Sequence, residues 1–283
     1  NTVFRLAYSR ALGRPQYQDL SPGSRLDTLN DTVSLGNPAL KPYLADALDA
    51  SGERYFARGG LLSIAAFAKF IKDPIFTSTY TVNNITYAGT NYSTLEFTQP
   101  LNADRGDIVG IEASYQQQFV FLPGFLSGFG VSANVTLTDS TLRVPGRENS
   151  TFPNQSGLIY GAQLFYQRGP VQGSLAFHNT GHSLLALGDI PLNDQFSDDY
   201  RRLDAKVTLA VTDFLHIFAE AQNLTDEPTR QYQAGNPNWT IQNERYVVVL
   251  EVTEEDEWPA QLLVTDLLPA GFEIDNPSLV DSA

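Results

Sequence analysis

The sequence contains neither cysteine nor methionine among its 283 residues, and it contains only three histidines. The lack of cysteine excludes disulfide bonds and any chemistry that needs a thiolate. Although 42% of the residues are hydrophobic, no run of about eighteen apolar residues occurs, which excludes a transmembrane helix. The chain begins at Asn1, and no signal peptide precedes its first strand, so we expect a piece of a longer precursor.

Basic residues are also scarce. Lys and Arg total 18 against 32 Asp and Glu, which gives a formal net charge of -14. Because nucleic acid binding depends on neutralising phosphates with basic side chains, the charge argues against a nucleic-acid partner. It suits a surface that stays soluble and attracts cations or basic ligands.

What the sequence does have is a strict alternation of apolar and polar residues, clearest in residues 106–119. The apolar positions are Val109, Ile111, Ala113, Tyr115 and Phe119. The polar positions between them are Glu112, Ser114, Gln116 and Gln118. A strand of about ten residues with one apolar and one polar face is typical of the wall of an outer-membrane barrel.

About ten such strands occur up to residue 245, and the connections between them alternate in length. Short turns are predicted at residues 58–60, 123–128, 168–170 and 212–214, and long polar loops separate the resulting hairpins. We therefore predict an all-β fold: part of an antiparallel transmembrane β-barrel with short periplasmic turns and long extracellular loops. A soluble β-sandwich or β-helix is the alternative, but its strands usually have only about five or six residues.

Three local motifs carry a resemblance to a known family. They are Ser9–Pro22, which ends a strand at an Arg-Pro corner; Gly36–Pro42, which reads Gly-Asn-Pro-Ala-Leu-Lys-Pro; and Ala221–Pro228, which contains Asn-Leu-Thr-Asp. In this order and spacing they resemble elements of the TonB-dependent outer-membrane receptors. Proline and asparagine favour turns and strand ends, so the motifs are predicted to shape the architecture and not to contact cargo.

The resemblance implies an importer in the outer membrane of a Gram-negative bacterium. Such receptors have a barrel of about 22 strands that is closed by an N-terminal plug. They take up scarce, bulky nutrients such as ferric siderophores, cobalamin or oligosaccharides, with energy supplied through the TonB complex. Residues 1–246 would then form about ten C-terminal strands, with outer-membrane lipid, the plug, the TonB complex and an extracellular cargo as partners. Neither a cofactor nor an enzymatic activity is expected.

The sequence changes character after Tyr246. Residues 254–257 read Glu-Glu-Asp-Glu, and four consecutive acidic residues cannot lie on a strand that faces lipid. Residues 261–279 resemble part of a late β-sandwich domain of bacterial α2-macroglobulin-like proteins. We therefore predict that residues 247–283 are an unrelated tail, joined to the barrel at a junction between two coding pieces.

Eight residues are candidates for binding the cargo. Arg202 is expected on the inner face of the wall with Glu112, Asp204, Lys206 and Glu220, where charges must pair or line water. Cross-strand salt bridges or docking of the plug are the alternative roles for these charges. The other candidates lie in predicted extracellular loops, where aromatic and arginine side chains make good binding anchors: Tyr80, Tyr87, Tyr92, Arg143, Arg147, Tyr232 and Trp239.

The histidines do not predict chemistry. His178 and His182 are four residues apart, but they are expected at a strand end and in a loop, so helical metal-ligand spacing does not apply. His178 shares a face with Ser174, but that face is predicted to be the inner one, which argues against a lipase on the outer wall. Neither a metal site nor a catalytic residue is predicted.

Three functions remain open. The first is an active TonB-dependent transporter, which the ordered motifs favour. The second is a passive porin, which would lack the receptor motifs and the plug. The third is a soluble envelope protease inhibitor of the α2-macroglobulin type, which only the tail supports.

Overall fold

A computed structural model describes residues 1–56, 58–147, 149–212, 214–242 and 248–254. Only the backbone is described for residues 236–242 and 248–254. The described chain is almost entirely β-structure, with two short 3-10 helices at Gly124–Gly128 and Pro191–Asn193. None of the helices in these described ranges is long and apolar enough to cross a membrane. The strands are β1 (Thr2–Gly13), β2 (Ser24–Asp27), β3 (Thr32–Leu35), β4 (Tyr43–Tyr55), β5 (Leu61–Lys72), β6 (Ile75–Tyr87), β7 (Thr90–Asn102), β8 (Arg105–Gln118), β9 (Phe129–Arg143), β10 (Leu158–Arg168), β11 (Val171–Thr180), β12 (Ser183–Gly188), β13 (Gln195–Ser197), β14 (Tyr200–Ala210), β15 (Leu215–Ala221), β16 (Thr229–Gln233), β17 (Asn236–Gln242) and β18 (Val248–Glu254).

Ten strands form one antiparallel sheet, which we call the wall. Its order is β1-β4-β5-β8-β9-β10-β11-β14-β15-β18, so every strand pairs with the wall strands next to it along the chain. Most of these strands have ten or more residues, and the longest, β9, has 15. The predicted all-β partial barrel of about ten strands is therefore confirmed, and within the described residues the sheet does not close on itself.

The register separates an apolar from a polar face, as the alternation predicts. On the apolar face Ile111 lies opposite Ala66 of β5 and Leu137 of β9. On the polar face Ser114 lies opposite Ser63 and Asn134. Since directly opposed residues in antiparallel strands share a face, the pattern runs across the whole sheet. We call the apolar face the outer face and the polar face the inner face.

Connections alternate in length along the wall. Residues 56–60, 119–128, 169–170 and 211–214 connect neighbouring strands at one end. The first of these turns places Arg58 and Gly59 at φ values of 67° and 82°, a left-handed conformation that glycine adopts without strain. Residues 14–42, 73–104, 144–157, 181–199 and 222–247 connect the strands at the other end. The predicted asymmetry of turns and loops is confirmed.

The long loops contain a second sheet, which we call the loop sheet. Its eight strands run in the order β17-β16-β13-β12-β6-β7-β3-β2. Two of its pairings, β12 with β6 and β3 with β7, are parallel, and each joins strands from different loops. The sequence indicated hairpin character only near residues 75–80 and 94–98. It did not predict that four separate loops combine into one sheet.

The buried hydrophobic core lies in this loop layer. One cluster contains Phe76, Ala103, Leu142, Leu184 and Leu187 and therefore ties the end of β9 to two loops. The other surrounds β7 and contains Val33, Tyr92, Leu95 and Phe97. Large apolar side chains on the outer face of the wall are exposed instead, as expected for a surface that meets lipid.

The Gly36–Pro42 motif joins the first long loop to the loop sheet. The Asn37 side chain donates to the Pro100 carbonyl oxygen at 3.0 Å and accepts from the Ala39 amide at 3.0 Å. Asn102 accepts from the Lys41 amide at 2.8 Å and donates to the Lys41 carbonyl at 3.0 Å. These contacts support the architectural role predicted for the motif.

The Ala221–Pro228 motif forms a closed turn around Asn223. Asn223 is 3% exposed and has a φ of 53°, a conformation that asparagine tolerates better than most residues. Its side chain accepts from the Glu227 amide and donates to the Glu227 carbonyl, both at 3.1 Å. Its backbone amide donates to Asp204 on β14 at 2.9 Å. The turn is therefore attached to the wall.

At its C-terminal end the wall includes β18, which pairs with β15 from Ala221 opposite Val248 to Leu215 opposite Glu254. This strand begins just after the predicted boundary at residue 246. The rest of the predicted tail, residues 255–283, lies outside the described residues. The division at residue 246 stays a prediction.

Candidate functional site

Two concave regions offer room for a ligand or a partner. The first, the inner-face cavity, has a volume of about 450 Å³ and lies against β8, β9, β10, β11 and β14. Gln116, Ser132 and Gln163 form one cross-strand row in it, and Ser174 and Lys206 form the next. This surface mainly offers neutral amide and hydroxyl groups, which can bind a hydrated solute or another protein surface through hydrogen bonds.

The charges on the inner face are largely paired. Lys206 lies 3.0 Å from Glu220 on the adjacent strand, and Arg202 lies 2.9 Å from Asp204 on its own strand. The Arg202 Nε atom is close to the carboxylate but makes no hydrogen bond with acceptable geometry. Arg202 is thus in an ion pair within one strand, and not in the predicted cross-strand salt bridge; its role in cargo binding stays a prediction.

The second region, the loop cavity, has a volume of about 820 Å³. It lies between the loop-sheet strands β2, β3, β6 and β7 and residues 152–154 and 185–186. Its polar lining includes Ser24, Ser34, Thr77, Thr98 and Gln99. Ser34 and Thr98 face each other across the parallel pair of strands, with their hydroxyl oxygens 3.4 Å apart.

The three candidate tyrosines of the β6–β7 hairpin come together around Phe97. Tyr80 stacks on this ring with a centroid distance of 5.2 Å, and Tyr87 meets its edge at 5.6 Å. The Tyr87 hydroxyl donates to Ser24 at 2.8 Å, and Tyr92 is buried in the same cluster. These residues stabilise the loop sheet, and their role in cargo binding stays a prediction.

Arg147 forms the most buried ion pair of the described chain. Its guanidinium donates to both carboxylate oxygens of Asp194, at 3.1 and 2.6 Å, and to the Gly188 carbonyl at 3.0 Å. The two side chains are only 10% and 7% exposed. Asp194 also accepts from the Gly188 amide at 2.9 Å. The pair therefore joins the loop after β9 to the loop after β11.

The remaining candidates lie in three different places. Tyr232 of β16 stacks on Phe196 of β13 with a centroid distance of 5.4 Å, which links two loops. Trp239 belongs to β17, of which only the backbone is described. Arg143 is the last residue of β9 and not a loop residue, and it lies opposite Arg105 on the outer face. The structure does not bring the eight candidates together at one site.

One carboxyl group of the loop sheet has a perturbed environment. Burial raises the pKa of Glu96 on β7 above its usual value of 4.5. Its neighbours across the strands are Thr81 of β6 and Thr32 of β3, which are uncharged. In contrast, hydrogen bonds from the Asn30 side chain and the Leu29 amide lower the pKa of the Asp27 carboxyl on β2.

The histidines have local polar partners. His178 Nε2 lies 3.0 Å from the Thr180 hydroxyl, and the His182 amide donates to Asp199 at 2.6 Å. No group of three or more His, Asp or Glu side chains able to hold a metal ion occurs among the described residues.

No pattern in the sequence predicts the hydroxyl groups that line the loop cavity. Thr77 and Thr98 lie on the β6–β7 hairpin, whereas Ser34 lies on β3 in a different loop, and only the loop sheet places the three together.

The family model described as TonB dependent receptor-like, beta-barrel matches residues 1–224. The comparison with curated proteins found no match.

Among solved structures, the ferric-catecholate import receptor Fiu from K12 E. coli shares 15% identity over 89% of this chain, with a TM-score of 0.60. The siderophore receptor PirA from Acinetobacter baumannii shares 16% over 80%, with a TM-score of 0.55. The ferric enterobactin receptor PfeA from Pseudomonas aeruginosa, as a G324V mutant, shares 14% over 80%, with a TM-score of 0.54. The chain spans 33%, 35% and 33% of their respective lengths.

Proposed function

Because this chain belongs to the TonB-dependent receptor β-barrel family, we propose that it forms wall and loops of an energised importer for a bulky, scarce nutrient. The membrane around it would be the outer membrane of a Gram-negative bacterium, where this family resides. A plug and the TonB complex would be its partners in the complete receptor. Ferric siderophores are the first cargo class to test, since structures with a similar fold are named as a siderophore receptor, a ferric enterobactin receptor and a ferric-catecholate import receptor.

The loop sheet is the observation that carries the proposal. A passive pore needs a mouth through which small solutes diffuse freely. Here eight strands from four long loops form a continuous layer with its own hydrophobic core and a cavity of about 820 Å³. A rigid layer of this kind supports a pre-organised binding surface, because its side chains lose little conformational freedom when a ligand binds.

The inner face also supports an importer. It offers rows of amide and hydroxyl groups together with the Arg202–Asp204 and Lys206–Glu220 ion pairs. Such a surface can hold a plug through many weak hydrogen bonds and release it without separating buried ions. Arg202, Lys206 and Glu220 would then contact the plug more than the cargo.

Uptake of radiolabelled ferric siderophores by a strain that carries the full-length receptor gene tests the proposal. Transport should depend on the TonB complex and should stop when an uncoupler removes the proton gradient. Uptake that continues after the uncoupler would favour the porin. Cobalamin and labelled oligosaccharides, tested in parallel, separate a wrong cargo from a wrong mechanism.

The proposal covers residues 1–246. For residues 247–283 we propose an unrelated α2-macroglobulin-like segment, although its first strand, β18, pairs with β15 at the end of the wall. Sequencing the source genome across codons 243–253 tests this proposal. A continuous reading frame with uniform coverage across this point would argue against a junction between two coding pieces.

A further inference from the structure

The connection between β8 and β9 differs from the other short connections of the wall because it is long and uncharged. Residues 119–128 read Phe-Val-Phe-Leu-Pro-Gly-Phe-Leu-Ser-Gly, and we call them the apolar turn. At the same end of the wall, residues 56–60 contain Arg58, residues 211–214 contain Asp213, and residues 169–170 directly follow Arg168. Charged side chains are rarely buried without a partner, so they keep a turn in water, and the apolar turn has none.

Four large apolar side chains of the apolar turn are exposed. Phe125 is 67% exposed and Phe121 is 50% exposed, and Val120 and Leu126 are exposed with them. A contiguous apolar surface of this kind is unfavourable in water and marks a region that meets a membrane or another protein. The side on which the turn lies decides between these two.

The apolar turn folds toward the outer face of the wall. Its 3-10 helix, Gly124–Gly128, lies beside the ends of β9 and β10. A Cβ atom at Gly128 would lie 2.7 Å from the Tyr166 ring and 2.8 Å from the Arg168 Cβ, so only glycine allows this close approach. Because β10 alternates, Tyr166 and Arg168 share the outer face with Leu158. The helix therefore packs on the side of the sheet that faces lipid.

Aromatic contacts make the apolar turn continuous with the outer face. Phe119 follows the apolar positions of β8, and its ring centroid lies 5.8 Å from that of Phe121. Phe129, the first residue of β9, meets the edge of the Tyr166 ring at a centroid distance of 4.8 Å. The apolar surface of the wall thus extends beyond the last residue of β8 and into the turn.

This position favours lipid over a protein partner. A plug would lie against the inner face, on the opposite side of the sheet from the 3-10 helix. At the border of the apolar turn the exposed Arg168 guanidinium donates to the Ser127 hydroxyl at 3.0 Å. Aromatic rings beside a long cationic side chain whose head reaches water are the usual arrangement where a protein crosses a membrane interface.

We propose that the apolar turn inserts into the interface of the periplasmic leaflet and anchors this end of the wall in the membrane. Phe121, Phe125 and Leu126 lie among the upper acyl chains, and Arg168 lies among the headgroups. Interfacial segments insert their apolar side chains about 5–10 Å into this boundary. Backbone groups at that depth still reach water, so a turn is tolerated there although the hydrocarbon core would exclude it. The inference rests on the membrane location in the proposed function but not on its cargo.

Fluorescence of a nitrobenzoxadiazole label on single cysteines tests the depth of the apolar turn. Residues 1–283 contain no cysteine, so F125C introduces one labelling site in a full-length receptor whose other cysteines, if any, are replaced by serine. The labelled receptor is placed in phosphatidylcholine vesicles with brominated acyl chains, and iodide is the quencher on the water side. The F125C label should lose most of its emission to the brominated chains and little to iodide.

Two control positions calibrate the measurement. Thr212 is exposed in the turn that contains Asp213, so iodide should quench the T212C label and the brominated chains should not. Ile111 lies on the outer face between Ala66 and Leu137, so the brominated chains should quench the I111C label. Iodide quenching of the F125C label to the extent seen with T212C would overturn the proposal. Protection of the F125C label from both quenchers would also overturn it, because a protein would then cover the turn.

The F121C variant repeats the test if F125C does not fold. Phe121 belongs to the same aromatic surface, so its label should behave as that of F125C. The I111C label separates this inference from the proposed function. Iodide quenching at I111C would overturn the membrane location and this inference together, whereas lipid quenching at I111C with iodide quenching at F125C and F121C would overturn this inference alone.

Discussion

The buried Arg147–Asp194 pair should control how firmly the loop layer is held together. Replacing Arg147 with methionine keeps most of the side-chain volume but leaves the Asp194 carboxylate, which is only 7% exposed, without its cation. Breaking a buried ion pair in this way costs about 3–5 kcal/mol. The loss should be local, because the pair joins residues 144–157 and 181–199 and not the strands of the wall.

Hydrogen exchange of the loop amides measures this effect directly. The Ala234 amide donates to the Asp194 carbonyl at 2.9 Å, and the Gly235 amide donates to the Leu192 carbonyl at 2.7 Å. Since each 1.4 kcal/mol changes an opening equilibrium about tenfold, these amides should exchange about 100-fold faster, or more, in the R147M variant. Amides of wall strands such as β9 and β10 should keep their wild-type rates.

Two further variants separate the ion pair from a general effect of substitution. R25M removes an exposed arginine from β2 in the same layer and should leave the exchange rates unchanged. The double variant R147M/D194N removes both buried charges but keeps an acceptor for the Gly188 amide, so it should recover most of the lost protection. Equal exchange in R147M and R25M would refute this account of the pair.

Three other changes have defined outcomes. In G36A the added Cβ would lie 1.8 Å from the Ser21 carbonyl oxygen, so the loop must shift and we expect limited proteolysis within residues 14–42 to become faster. The control G23A, whose Cβ would lie 3.5 Å from the nearest atom, should be cut at the wild-type rate. N223A should lower the free energy of unfolding by about 2–4 kcal/mol, because it combines left-handed backbone strain with the loss of side-chain hydrogen bonds. N223G should lose less, because glycine adopts this φ without strain. Equal losses in the two variants would exclude backbone strain as a cause. Burial raises the Glu96 pKa, so ionisation of this carboxyl lowers stability as the pH rises from about 4.5 through the folded-state pKa. E96Q should therefore slow hydrogen exchange of the loop-sheet amides at pH 7 and leave it unchanged below pH 4. A difference that persists at low pH would contradict this cause.

Much of the wall was predictable because its information is local. Alternation in β8 assigns Ile111 and Ser114 to opposite faces without knowledge of any partner strand. Short turns such as residues 169–170 fix neighbouring strands as antiparallel, so the order of the wall follows from the order of the chain. The motifs around Asn37 and Asn223 were also assigned correctly to architecture, because asparagine and proline act on the backbone next to them.

The candidate site was less predictable because its contacts join distant loops. Tyr80 and Tyr87 looked like free binding anchors in the sequence, but the structure packs both rings on Phe97. Arg147 likewise looked exposed, and its partner Asp194 lies 47 residues away. No local pattern encodes such a pairing.

The sequence by itself determined the strands, their two faces and the alternation of turns and loops, since each depends on residues close together in the chain. It also determined the family through short motifs in a fixed order. Only the tertiary structure decided that the loops form one sheet and that most candidate anchors stabilise the protein itself. The reason is physical, because long-range pairing depends on register and burial, which emerge when the strands assemble.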